Sequence, residues 1–146
     1  MIYNMLFLTV FLGTSQLLEC NMSDSLIIES IEIYSMDLET TSPHDYTPNF
    51  FMEMVRKVES SENYSNKKHM KLSQEQVENE QIFIQKILNE NIVQRQSIDC
   101  RMVVDISCKN GSEFLIAINS AKEATINGAL HSKGKSIYRR FSKYLN

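Results

Sequence analysis

Two short segments late in the chain alternate apolar and polar residues. Met102, Val104 and Ile106 form one, Phe114, Ile116 and Ile118 the other, and Asn110-Gly111-Ser112 lies between them. A period of two suits a half-buried strand and does not suit a helix, whose apolar positions recur every three to four residues. A three-residue loop at Asn110-Gly111-Ser112 predicts a hairpin that pairs Ile106 with Ile116, Val104 with Ile118 and Lys109 with Glu113. That register puts the large apolar residues on one face, which any partner element then has to cover.

The partners offered by the rest of the sequence are helical. Thr47 caps a segment with Pro48 at its first position, where a missing N–H costs nothing, and Phe51, Met54, Val55 and Val58 follow as one stripe. Ser73 and Gln76 form a capping box with Leu72 and Val77 as a hydrophobic staple. Val77, Ile84, Leu88 and Ile92, with Phe83 and Ile87 beside them, carry that helix to about Gln94. Its carboxylates Glu75, Glu78 and Glu80 read as a solvated face. Further upstream, Ile27, Ile31, Tyr34 and Leu38 share a face if residues 24 to 39 are helical, although their β-branched content also suits a strand. Ser60 to Met70 reads as an exposed loop. Ser120 and Glu123 resemble a second capping box, with Gly128 ending a short helix, while Asn127-Gly128 equally suits a hairpin turn. The expected fold is α+β, about three helices packed on a small antiparallel β-hairpin. The alternative is an all-α helical bundle in which the 101 to 118 region is a crossover or a buried helix end.

The N-terminus is of a different kind. Met5 to Leu12 is a short apolar run followed by Gly13-Thr14-Ser15, which predicts a secretory signal peptide over residues 1–20, cut after Ser15 or after Cys20. The run is too short to span a bilayer, and no later segment is apolar enough, so no membrane span is expected. The 146-residue chain then divides into a single globular domain over 21–132 and a basic amphipathic C-terminal segment over 133–146. Three Asn-x-Ser sequons, at Asn21, Asn63 and Asn110, are the N-glycosylation candidates of an exported chain.

Cys20, Cys100 and Cys108 are the disulfide candidates, and the cut decides their parity. Cleavage after Cys20 leaves the pair Cys100 and Cys108. If residues 100 to 108 form one straight strand, its ends lie about 26 Å apart, whereas bridged Cα atoms sit about 5.5 Å apart. The remaining options are a bent segment, a bridge from Cys20, or a disulfide-linked dimer.

No catalytic set emerges. His44, His69 and His131 are far apart in sequence and none has metal-ligand spacing to another His or Cys. There is no nucleophile elbow, phosphate-binding glycine loop or Cys-x-x-Cys, and Cys100 with His131 is the one nucleophilic pairing to weigh. No catalytic residue, metal or cofactor is expected, and no nucleic-acid partner. Charge is uneven: six cations against Glu123 alone follow from Lys122 onward, in a chain whose net charge is -3. Tyr138, Arg139, Arg140, Phe141 and Lys143 are therefore the candidate partner-binding residues, facing an unknown extracellular protein or acidic surface. On that reading Arg139→Glu with Arg140→Glu abolishes binding and leaves the fold intact. The expected function is a small secreted, non-enzymatic interaction protein. The alternatives are a secreted carrier of a small apolar ligand and a precursor cut at Lys67-Lys68 and Arg139-Arg140.

Overall fold

A computed structural model describes residues 26–37, 45–59, 67–90 and 94–145. Its centre is one antiparallel sheet, not a small hairpin. The strands are β1 (Ile28–Met36), β2 (Lys67–Lys71), β3 (Gln94–Arg95), β4 (Met102–Cys108), β5 (Glu113–Ile118), β6 (Ala124–Ile126) and β7 (Ala129–His131). They lie in the order β2-β1-β4-β5-β6-β7-β3. Helices α1 (Pro48–Glu59), α2 (Gln74–Leu88) and α3 (Gly134–Ser142) complete the described elements, and a 3₁₀ turn (Lys143–Leu145) follows α3. Both the hairpin-with-helices expectation and the all-α alternative are overturned by this sheet.

The sheet is buried on both faces. On one side Ile31, Ile33, Met102, Val104, Ile106, Ile116 and Ile118 meet Val77, Ile84 and Ile87 of α2 and Ile137 and Phe141 of α3. On the other, Tyr34, Met36, Val103 and Ala117 meet Phe51, Met52 and Val55 of α1, with Ile98 and Cys100. Burying these apolar side chains, each worth about 1.5–3 kcal/mol relative to exposure, is what holds the helices on the sheet.

The expected helix over 24–39 is instead strand β1. Its register with β4 slips between Ile28 and Ser30, a bulge that leaves Glu29 unmatched. The bulge brings Ile28 and Ile31 into the same core, while Tyr34, expected to share a helical face with Ile31, meets the opposite core and Ile27 is exposed. The loop expected over 60–70 contains β2 at its end, a five-residue edge strand. Three lysines in five positions hide it, and charged edges of this kind discourage strand-to-strand aggregation.

The β4–β5 hairpin is present in a register two residues from the expected one: Ile106 opposes Phe114, Val104 opposes Ile116 and Met102 opposes Ile118. The Cys108 amide donates to the Ser112 carbonyl at 2.9 Å, so the three loop residues are Lys109, Asn110 and Gly111. Gly111, at φ +82°, takes the closing left-handed position that a three-residue loop needs. A slip of two preserves the faces, which is why the apolar pattern alone did not fix it. Asn127 and Gly128, at φ +48° and +80°, form the two-residue turn between β6 and β7. The expected helix at 120–128 is therefore absent. Ser120 to Glu123 instead turns β5 into β6, with Asn119 Oδ1 accepting from the Glu123 amide at 2.9 Å.

The expected α1 and α2 are both found, but α2 ends at Leu88, not near Gln94, which belongs to β3. Ser73 accepts from the Gln76 amide at 3.3 Å and Gln76 Oε1 from the Ser73 amide at 2.8 Å, the reciprocal bonds of a capping box. The Ser132–Lys135 stretch holds the start of α3. A Cβ on Gly134 would lie 2.5 Å from the Lys122 carbonyl and 2.7 Å from the Ala124 amide, both backbone atoms that have no rotamer to yield with. Gly134→Ala is expected to destabilise the fold by about 2 kcal/mol, the range of overpacked cores. Urea denaturation checks this, and an unchanged midpoint would mean that α3 is not seated this closely.

Candidate docking surface

The site is built outward from a carboxylate the sequence hid. Glu80 lies on α2 between Val77 and Ile84, at the same i+3 and i+4 spacing as the apolar stripe, and it is fully buried. Glu75 and Glu78 are exposed, as a solvated face requires; Glu80 corrects that reading. Arg140 Nε donates to Glu80 Oε2 at 2.6 Å, while Lys143 Nζ and Tyr144 OH donate to Oε1 at 2.9 and 2.5 Å. Arg140 also donates to the Asn79 carbonyl at 3.2 Å and lies over the Phe83 ring at 5.4 Å. Burial pushes the Glu80 carboxyl up, but the Arg140, Tyr144 and Lys143 donors outweigh it and hold the group below its ordinary value.

This anchor assigns roles to the expected partner-binding residues. Phe141 is buried in the core and Tyr138 is half-buried, with the Lys122 ammonium 5.0 Å above its ring. Arg140 and Lys143 clamp Glu80 and keep about two-fifths of their side chains exposed (40% and 46%), while Arg139 faces solvent. The double reversal Arg139→Glu with Arg140→Glu would thus set a new carboxylate against buried Glu80, and cannot leave the fold intact as expected.

A second carboxylate plays a matching part on the other face. Glu32 of β1 accepts from Tyr34 OH at 2.5 Å and lies 3.1 Å from His69 Nε2, 3.7 Å from Arg56 and 3.6 Å from Lys71. The Tyr34 hydroxyl in turn accepts from Arg56 Nε at 2.8 Å, and its ring stacks on His69 at 4.4 Å. The Tyr34 hydrogen bond leads in holding Glu32 below the usual carboxylate range, against the opposing effect of burial. Burial, then the Glu32 contact, push the Tyr34 phenol up. Asp105, across the sheet on β4, is pushed up by burial and by the nearby Glu32 and Glu113 charges.

These two clusters meet at β2. Register places Lys67, His69 and Lys71 on the α1 face and Lys68 on the α3 face, where Lys68 Nζ donates to the Leu145 carbonyl at 2.5 Å. Basic β2 thereby meets the turn that follows α3, Lys143–Leu145, which the sequence places some 70 residues away. Glu80 is shared by Arg140 and Lys143, and Glu32 by Lys71, Arg56 and His69. Each carboxylate meets more than one positive group.

The remaining candidates fall apart spatially. Cys100 and Cys108 are free and buried in different cores, on opposite faces of the sheet, with straight β4 between them. A bridge between them is excluded, and neither reaches the surface to form a disulfide-linked dimer. Burial pushes the Cys100 thiol up to about 12 and the Cys108 thiol up as well, so neither is a nucleophile. His131 sits on the face opposite Cys100, 3.2 Å from the Ile87 carbonyl, and its Nδ1 accepts from the Lys133 amide at 3.1 Å. That bond puts the ring proton on Nε2. Asn110 is exposed at the β4–β5 turn; Cys20, Asn21, Asn63 and His44 lie outside the described residues. Both dibasic pairs sit within regular elements, Lys67-Lys68 in β2 and Arg139-Arg140 in α3.

Two grooves open to solvent. One of about 360 Å³ is lined by Pro48, Gln96, Ser97, Ile98, Thr125 and Gly128. The other, about 610 Å³, is lined chiefly by Lys122, Ser132, Lys133, Gly134, Lys135 and Ser136. Among the described residues no three His, Cys, Asp or Glu side chains are placed to hold a metal, and no helix is long and apolar enough to cross a membrane.

Removing the buried carboxylate should cost more than a surface ion pair. Glu80→Ala is expected to lose about 3 kcal/mol, because Arg140 and Lys143 are left without their counter-ion. Glu80's folded-state value is depressed, so its contribution is complete above 4.5 and is lost as pH falls through the depressed value. Wild type should therefore lose more stability than Glu80→Gln between pH 7 and pH 3, read as urea midpoints; equal losses would dismiss the anchor. The thiols offer a separate check: in native protein Cys100 and Cys108 should resist a water-soluble thiol reagent and react fully once unfolded. Immediate native-state reaction would contradict their burial. Comparison with known protein families, curated proteins and solved structures finds no match to this chain.

Proposed function

We propose that this chain is a small secreted, non-enzymatic interaction protein that docks an acidic surface of an extracellular partner protein through the basic edge formed by β2 and the α3 segment. The observation that carries this reading is the contact of lysine-rich β2 with the turn after α3, through Lys68 and the Leu145 carbonyl, beside Glu80 shared by Arg140 and Lys143 and Glu32 shared by Lys71 and Arg56. A one-signed patch on a chain of opposite net charge orients an approaching partner and raises its association rate, an effect that salt screens. The short apolar leader supports export.

The variants that test this spare the Glu80 anchor. At pH 7 the wild-type chain should be retained on a poly-glutamate matrix despite its net charge of -3. Lys68→Glu with Arg139→Glu should elute at clearly lower salt, whereas Lys86→Glu with Lys109→Glu, the same change of charge at exposed positions elsewhere, should shift elution far less. Equal shifts for the two pairs would show that net charge, not the edge, governs binding. N-terminal sequencing of protein from the medium of secreting cells should begin at Gln16 or Asn21, and a chain kept inside the cells would defeat the secretory part.

A further inference from the structure

We propose that Asn110 is an N-glycosylation site and that the tip of the β4–β5 hairpin carries an oligosaccharide, an inference resting on the reading of the chain as exported. The motif is Asn110-Gly111-Ser112, and the fold presents it where a bulky group is tolerated. The last facing pair of the hairpin is Ser107 with Glu113, so Asn110 and Gly111 project beyond the paired strands, and both are exposed. Open space surrounds the turn: a Cβ built on Gly111 meets nothing within 4 Å. Asn110 Oδ1 accepts from the Ser112 amide at 3.0 Å, an Asx turn that draws the carboxamide toward the serine of its own motif. The bond uses the oxygen and leaves the amide nitrogen, the atom to be modified, out of the hydrogen-bond network.

The co-reactant is a lipid-linked oligosaccharyl diphosphate. Asn110 Nδ2 bonds to C1 of the first sugar, the C1–O bond to the diphosphate breaks, and one proton leaves Nδ2; nothing is oxidised or reduced. Folding neither buries the product nor breaks a strand pair to hold it. The tip also adjoins the start of β1, since the Lys109 amide donates to the Ile27 carbonyl at 2.9 Å and Ile27 is half exposed. A glycan there shields this apolar corner and leaves the Lys67–Lys68 end of β2 clear.

The test expresses the full chain in glycosylating eukaryotic cells and measures the intact mass of medium protein before and after N-glycosidase. The enzyme should lower the wild-type mass and leave aspartate at position 110 in the peptide map. Ser112→Ala and Asn110→Asp should each lose one glycan step. Ser112→Ala keeps the backbone bonds of the turn, and the aspartate keeps an acceptor for the Ser112 amide, so both should fold. Ser112→Thr should restore occupancy. Secreted protein with unmodified Asn110 overturns the proposal while export stands. A chain that never leaves the cytosol and carries no glycan overturns it by removing the export reading, so the two failures are distinguishable.

Discussion

The constraint on which the rest of the structure depends is a sheet that must be covered on both faces. Ile31, Ile33, Val104 and Ile116 project to one side of the central strands, and Tyr34, Val103 and Ala117 to the other. Neither face can be left to water without forfeiting the apolar burial that offsets the entropy of folding. Helix α1 meets one requirement, and α2 with α3 the other. Little is then left for recognition except the edges and the turns. The basic β2 edge and the Asn110 tip are such places, and their exposure follows from how thoroughly the middle is enclosed.

Two carboxylates organise that edge from beneath. Glu80 and Glu32 sit on opposite faces of the sheet, one buried and one partly so, and each gathers cations from elements remote in sequence. A buried carboxylate is costly unless its partners are well aimed, and the short contacts from Arg140, Lys143 and Tyr144 meet that condition. The same contacts fix long, mobile side chains in place. Arg140 and Lys143 are thus pre-positioned, so the proposed acidic partner would not have to order them itself.

What was legible in the sequence follows from which signals are local. The capping box at Ser73 and the Thr47-Pro48 start concern a few neighbouring residues, and both helices lie where those residues put them. The alternation at 102–106 and 114–118 was likewise sufficient for two strands, but their register rests on one left-handed glycine position that the apolar pattern does not encode. β1 was obscured because it is buried on both faces: Ile31 and Tyr34 share a face in a helix but meet opposite cores in the strand. β2 was obscured because an edge strand presents lysines where a central strand presents valines. The basic C-terminal charges were visible, but their destination was not. Glu80 had a usable signal, a carboxylate falling in step with Val77, Ile84 and Ile87, yet polarity alone assigned it to water.

The sixty-residue separation between Glu80 and Arg140 also shapes the order in which the molecule can be completed. A chain that emerges from its N-terminus presents α2 well before α3, with β4 to β7 made between them. In that interval the site that receives Ile137 and Phe141 is open, and Glu80 has no counter-ion, so it must keep its water. The face covered by α2 and α3 is therefore complete only when the last helix brings Ile137, Phe141 and the positive charges that meet Glu80.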